Sequence, residues 1–236
     1  MKQKFAIVDV ETTGGRAADE KITEIAIVIH DGERVVEQFS SLVNPERPVP
    51  FNITMLTGIT NEMVATAPKF YEIAKKIVTI TQDCIFVAHN VRFDYSFVQE
   101  EFRRLGYLYT KRQLCTVKLS RKTFPGLHSY SLENLIRHFN IPFQYRHRAL
   151  DDTLATVNIF EKIITSAIGQ QQIAHNLKQG IKETKLPNNI TLEVLNNIPE
   201  VCGVYYFHNE KGDVVYVGKS INMQKRILEH FSDGSE

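Results

Sequence analysis

Residues 5–15 read FAIVDVETTGG. Apolar, strand-favouring residues fill its first half, so the segment belongs inside a sheet. Yet Asp9 and Glu11 interrupt it, and Thr12, Thr13, Gly14 and Gly15 follow at once. Side chains alternate along a strand with a period of two, so both carboxylates leave the same face. Two bare carboxylates side by side in a low-dielectric site repel each other, and one then takes up a proton. A divalent cation with a preference for oxygen ligands, Mg²⁺ or Mn²⁺, removes that penalty. The alternative is a strand end at which both acids simply reach water. The remaining ligands decide between the two.

The surrounding pattern predicts the frame. ITEIAIVIHDGERVVEQFSSLVNP carries two apolar runs about Asp31-Gly32, the mark of a hairpin, and Pro45, Pro48 and Pro50 close the strand region. KFYEIAKKIVTIT is helical, CIFVAHN is a buried strand, and VRFDYSFVQEEFRRLG is a helix that stops at Gly106. SLENLIRHFN and RALDDTLATVNIFEKII supply further helical segments. Three strands followed by strands alternating with helices imply an α/β sheet of mixed strand direction.

Two more acids fall on buried helical faces. Asp94 heads the stripe Asp94, Val98, Phe102 and Leu105; alternatively it is an N-terminal acid favoured by the helix dipole, with Asn90 as N-cap. Asp152 shares a small-residue face with Ala149, Thr156 and Ile159, whereas Asp151 lies about 100° away and faces solvent or the helix start. His147 precedes Asp152 by five residues, at or before the helix start, where it can move without breaking the helix; as a surface residue between Arg146 and Arg148 it needs no function. Taken together, four acids and one His match a two-metal phosphodiesterase site. Cations about 3.5–4 Å apart hold the attacking and leaving oxygens, and an imidazole suits proton abstraction near neutral pH.

The stretches VDVETTG, HNVRFDYSFV and HRALDDTLAT, in this order, resemble the three exonuclease motifs of the DnaQ-like superfamily, in the subtype with a histidine in its third motif. FNITMLTGIT and KTFPGLHSYSLENL are similar to segments common in relatives of the DNA polymerase III epsilon subunit. The resemblance spans roughly residues 4–165. It implies an RNase H-like mixed sheet flanked by helices, with Asp9, Glu11, Asp94 and Asp152 holding two Mg²⁺ or Mn²⁺ ions and His147 as general base. The five-residue step from His147 selects Asp152 over Asp151. It also implies that Thr12, Thr13 and Gly14 contact the terminal nucleotide, that Leu56 and Thr57, in the loop before Gly58, wedge against the last base, and that Asn90 and Phe93 belong to the substrate site.

After about residue 165 the chain turns polar, and QQQIAHNLKQGIKETKLPNNIT reads as a linker, helical in part. CGVYYFHNEKGDVVYVGKS then predicts a hairpin, followed by the helix NMQKRILEHF. This region resembles the start of the GIY-YIG nuclease domain of UvrC. Gly203-Val204-Tyr205 and Tyr216-Val217-Gly218 stand for its two tripeptides, and Lys219 and Arg226 for its basic residues. With a loop from Asn209 to Gly212, Tyr205 and Tyr216 become cross-strand partners. The family's metal-binding glutamate has no counterpart before Glu236, so this incomplete α+β segment is expected to be inactive. The expected organisation is an exonuclease domain over 1–165, a linker over 166–197 and a GIY-YIG-like segment over 198–236.

Charge completes the reading. Net charge is only +1, but residues 103–148 hold 10 Lys/Arg against one acid, Glu133, a balance of +9. Such a segment is a footprint for a polyanion or a solvated basic face. Cys84, Cys115 and Cys202 are odd in number and follow no ligand spacing, and no apolar run nears the ~20 residues of a membrane span. A reduced, cytoplasmic location is expected. The function expected is 3′→5′ hydrolysis of DNA in repair or proofreading, with a nucleic acid bearing a 3′ end, single-stranded DNA foremost, as partner, and polymerase or repair proteins beside it. An RNA-trimming exoribonuclease and a non-catalytic nucleic-acid-binding module are the alternatives.

Overall fold

In the computed structural model the FAIVDVET run is β1 (Lys4–Thr12), the central strand of a five-stranded sheet of order β3-β2-β1-β4-β5. The structure describes residues 3–107, 109–142, 147–178, 190, 194–195, 197–199 and 201–230, with the backbone alone at Lys178, Lys225, Leu228 and Glu229. Arg146, Phe231 and residues 179–189 lie outside them. The chain divides into two compact units, Met1–Leu177 and Lys178–Glu236.

β2 (Ile22–His30) pairs antiparallel with β1, and β3 (Val35–Leu42) pairs antiparallel with β2 at the sheet's edge. The turn between β2 and β3 is the one the Asp-Gly pair predicts: the Asp31 N–H donates to the Arg34 carbonyl at 3.1 Å, and Gly32 takes φ 93°. β4 (Cys84–Ala88) and β5 (Gln113–Cys115) run parallel to β1. The alternation of β1 divides the core. Ala6, Val8 and Val10 pack with α3 (Phe70–Ile80) and α4 (Val91–Arg104) on one face. Phe5 and Ile7 pack on the other face with α5 (Thr116–Thr123), α6 (Leu132–Phe139), α7 (Ala149–Thr165) and α8 (Ala167–Lys178). This is the mixed sheet flanked by helices of the RNase H-like fold. Among the described residues no helix is long and apolar enough to cross a membrane.

Four local features differ from the sequence reading. Two short helices, α1 (Phe51–Thr57) and α2 (Asn61–Ala65), occupy the connection after the prolines, so Leu56 and Thr57 end a helix and do not lie in a loop. Gly58, at φ 72°, closes α1 by donating its N–H to the Thr54 carbonyl. Leu105 is 45% exposed because α4 stops at Arg104, so the buried stripe ends at Phe102. Asn90 precedes α4 in the left-handed region (φ 80°) and makes no side-chain cap. And α8 begins immediately after α7; its Ile173 and Leu177 join the core of the first unit, within the stretch that reads as a linker.

In the second unit β6 (Gly203–His208) pairs antiparallel with β7 (Val214–Ser220), followed by α9 (Met223–His230). The register is two residues away from the one expected: Tyr216 faces Phe207, and Tyr205 faces Gly218. The turn takes in Asp213, whose N–H and carboxylate both bind the Asn209 side chain. Tyr205 and Tyr216 still share a face, with ring centroids 6.0 Å apart. Gly218 is required there, because any Cβ would enter the Tyr205 ring; at Gly203 a Cβ would meet the Met223 sulfur. Phe207 and Ile227 belong to a cluster with Tyr205, Leu195, Ile198 and Met223. Val215 and Val217, on the opposite face, are exposed.

Candidate active site

The acids of β1 sit where they do because the row Phe5, Ile7, Asp9, Glu11 outruns its apolar cover. β1 pairs with β4 only from Lys4 to Ile7, so Asp9 and Glu11 lie beyond the paired stretch. On the other side β2 continues, and its residues Val28, Ala26 and Glu24 stand opposite Ile7, Asp9 and Glu11. α7 crosses this face with the buried row Ala149, Asp152, Thr156 and Ile159, as its sequence predicts. Asp94, 3% exposed, arrives from α4 and accepts the Val10 N–H at 3.2 Å, a donor that β4 is too short to satisfy.

His147 adopts φ 59°, a left-handed conformation that costs a non-glycine residue about 1–2 kcal/mol. Its N–H donates to Asp152 Oδ2 at 3.1 Å, which holds the turn. Ligand atoms of Glu11, His147 and Asp152 all lie within 4.8 Å of one another. The imidazole is thus over the acids and not on an open basic surface.

The electrostatics follow from crowding. Burial first, then Asp94, Asp152, Glu11 and Glu24, raises the Asp9 carboxyl well above its ordinary value. Burial, then Asp152, Glu24 and Asp94, pushes Glu11 up to about 8, against the opposing pull of Arg148. Asp94 also rises to about 8, chiefly through burial. Such acids cannot all ionise near neutral pH without a compensating positive charge. Oxygen donors that converge this closely, with one imidazole beside them, fit a hard divalent cation.

Two residues outside the sequence-derived set hold the arrangement. Glu24, 5% exposed, is the direct cross-strand partner of Glu11, where like charges destabilise. It accepts a forked contact from Arg148 (Nη2–Oε1 2.7 Å, Nε–Oε2 3.1 Å) and the Ala149 N–H at 2.9 Å. Glu24 therefore caps α7 and neutralises the neighbour of His147. Its signal was present in ITEIAIVIH, where one acid interrupts a fully buried strand.

The other sequence-derived residues divide between surface and scaffold. Leu56 is 53% exposed. Thr57 is buried; its hydroxyl donates to the Ile53 carbonyl and accepts the Ile59 N–H. Thr13 is also buried, donating to Glu20 at 2.5 Å and accepting the Lys21 N–H at 3.0 Å, and Thr12 donates to the Gly14 carbonyl. A Cβ on Gly14 would stand 2.9 Å from the Glu20 side chain. Thr13 thus fastens its loop, and Thr57 the end of α1, through their hydroxyls. Asn90 is exposed, and Phe93, half-buried, packs on Phe97 with centroids 4.9 Å apart. In the second unit the Tyr205 hydroxyl lies 2.7 Å from His230 Nε2, and Lys219 is exposed.

Compared with known families, residues 6–160 match the one described as Exonuclease. The chain belongs to the exonuclease family. Residues 201–236 match the UvrC-like GIY-YIG domain. A putative bifunctional exonuclease/endonuclease protein of Mycobacterium tuberculosis (strain CDC 1551 / Oshkosh) is 34% identical over 242 residues, covering 97% of this chain. This chain spans only 37% of that relative's length. The DNA polymerase III subunit epsilon of Aquifex aeolicus (strain VF5) is 36% identical over 161 residues, covering 68% of this chain and 80% of its own. Among solved structures, exonuclease X in complex with 5′ overhanging duplex DNA superposes with a TM-score of 0.56 at 28% identity, over 73% of this exonuclease-family chain and 99% of the other.

Proposed function

We propose that the first unit is a divalent-metal-dependent 3′→5′ exonuclease that releases nucleoside 5′-monophosphates from DNA. The observation that carries this reading is the convergence of Glu11, His147 and Asp152 at the end of β1 that β4 leaves unpaired, with Asp9 and Asp94 crowding the same cluster. Asp9, Glu11, Asp94 and Asp152 would hold the cations, Mg²⁺ or Mn²⁺. When bound, the ions supply charge stabilisation for the attacking and leaving oxygens of an in-line displacement.

The chain's own residues do the rest. His147 accepts the proton of the attacking water as the water oxygen bonds to phosphorus and the bond to the 3′ oxygen of the preceding nucleotide breaks; that oxygen leaves with a proton from solvent. The products are a nucleoside 5′-monophosphate and a strand one residue shorter with a free 3′ hydroxyl. Asp152 orients His147 through its backbone N–H, and the Glu24–Arg148 contact fixes the start of α7. The loop of Thr12, Thr13 and Gly14, braced by Glu20, lines the terminal nucleotide, and exposed Leu56 presses on its base, with Asn90 and Phe93 beside them.

A GIY-YIG-like unit in the same chain, and likeness over nearly the whole chain to a protein described as a bifunctional exonuclease/endonuclease, support a role in repair over proofreading. The test is a digestion time course on DNA and RNA single strands of matched sequence with Mn²⁺. Faster loss of the DNA is expected. Faster loss of the RNA would replace the substrate.

A further inference from the structure

The connection from β1 to β2 is fastened by one side chain from a distant helix. After Gly15 the chain turns at Arg16, whose carbonyl accepts the N–H groups of Asp19 at 3.1 Å and Glu20 at 2.9 Å. Arg104, the last residue of α4, reaches this turn. Its Nη2 donates to the carbonyls of Ala17 at 2.8 Å and Ala18 at 3.1 Å. Its Nη1 donates to the Glu20 carbonyl at 3.0 Å and to Glu101 Oε1 at 3.2 Å. Nε lies 3.3 Å from Glu100 Oε1. The four Nη hydrogens are all used, three of them on loop carbonyls. A lysine ammonium has three donors at one point and cannot span the same set. The guanidinium is held in turn by the buried Glu101, which also binds Lys21 Nζ at 3.1 Å and the Ile22 N–H at 3.4 Å.

Glu20 carries this hold forward. Arg104 fixes its carbonyl, while its carboxylate accepts the Thr13 hydroxyl at 2.5 Å and lies 3.3 Å from Arg47 Nη1. Its side chain also stands where a Cβ on Gly14 would be. Arg47 adds a bond to the Asp19 carbonyl. Thr13 closes the circuit, donating its N–H to the Lys21 carbonyl at 2.8 Å and accepting the Lys21 N–H on its hydroxyl at 3.0 Å. Glu20 thus sets Thr13 and Gly14, and Arg104 sets Glu20. The sheet needs no such clamp, because β1 and β2 are already paired from Phe5–His30 to Thr12–Ile22. What the extra fastening fixes is the loop itself. The first turn of α4 carries Asp94, which binds the Val10 N–H. One rigid helix therefore runs about 15 Å from the acid cluster to the clamp on the loop.

We propose that Arg104 is a positioning residue for the terminal nucleotide: through Glu20 it holds the loop of Thr12, Thr13 and Gly14 in register with the acids, and its loss weakens the grip on that nucleotide while the chemical step is kept. The inference rests on the reading of this loop as the terminal-nucleotide contact. Arg104 touches neither the acids nor the substrate; it acts on binding alone.

The test compares the full chain with Arg104→Lys, which keeps the charge, and Glu20→Gln, which keeps the size. The two side chains are 22% and 23% exposed, so both variants should fold. Two quantities are read. One is hydrogen exchange of the Lys21 amide. The other is hydrolysis, with Mn²⁺, of the p-nitrophenyl ester of thymidine 5′-monophosphate, which carries one nucleotide and no strand behind it. Both variants should speed exchange at Lys21 and leave Val28, in the middle of β2, unaltered. Each should raise KM for the ester about tenfold and keep kcat within about twofold, as expected when binding is lost equally from ground state and transition state. The double variant should be no weaker than the weaker single one, because both changes cut the same path. Unchanged exchange at Lys21 would overturn the clamp. Faster exchange with KM unmoved, or a loss confined to kcat, would overturn the positioning role, and additive losses would overturn the route through Glu20. A wild type that hydrolyses neither the ester nor DNA 3′ ends is a different result: it removes the exonuclease reading, and this inference with it.

Discussion

Replacing Glu11 by Gln should stabilise the metal-free protein, and by an amount that depends on pH. In the folded chain Glu11 keeps its proton up to about pH 8, against an ordinary value of 4.5. Between these limits the folded state binds more protons than the unfolded state, so stability falls as pH rises through the window and levels off above it. Each pH unit of separation is worth about 1.4 kcal/mol, so Glu11 sets a ceiling of about 5 kcal/mol. Rearrangement and water at the rim of the cluster reduce this, and we expect a gain of about 2–5 kcal/mol at pH 8.5 and none below pH 4.5. Urea unfolding in EDTA, following the unit that contains β1, measures it. Adding Mn²⁺ should stabilise wild type strongly at pH 8.5 and Glu11→Gln much less. A variant no more stable than wild type at pH 8.5, or a difference indifferent to pH, would refute the crowded-acid account.

His147→Ala should lower kcat by about 10²–10⁴, the worth of a positioned general base, and remove the acidic limb of the pH–rate profile, with Mn²⁺ still bound by calorimetry. Arg148→Met strips the partner from Glu24, whose side chain is 6% exposed; because Arg148 is itself 39% exposed, we expect a loss of about 1–3 kcal/mol in urea, below the 3–5 kcal/mol of a fully buried pair. An unchanged midpoint would mean that Glu24 is held by the Ala149 N–H alone. Gly218→Ala forces a Cβ into the Tyr205 ring and should cost the second unit about 1–3 kcal/mol, read by hydrogen exchange in β6 and β7, with the first unit's exchange unaltered.

The sheet and the acid row were legible because they are local. A strand that alternates into a core cannot hide Asp9 and Glu11, and helical spacing alone puts Asp152 on the face of Ala149 and Ile159. Less legible were features set by distant neighbours. Glu24 gains its meaning from Arg148, 124 residues away. α1 and α2 are five to seven residues long, too short for periodicity to mark, and β5 has only three. The β6–β7 register turned on whether Asp213 belongs to the turn, and a side-chain bond from Asn209 decided it. Thr13 and Thr57 carry the right motif, but their hydroxyls face inward for reasons that only Glu20 and Ile53 supply.

The polarity and product of digestion distinguish a two-metal 3′→5′ exonuclease from every other reading of the acid cluster. Single-stranded DNA labelled at either end is incubated with the full chain and Mn²⁺ or Mg²⁺. A 3′ label should be released at once as a nucleoside 5′-monophosphate, a 5′ label should shorten through a ladder, and EDTA or Asp9→Ala should abolish both. Mononucleotides released from the 5′ end, or digestion that survives EDTA and Asp9→Ala, would contradict the exonuclease reading.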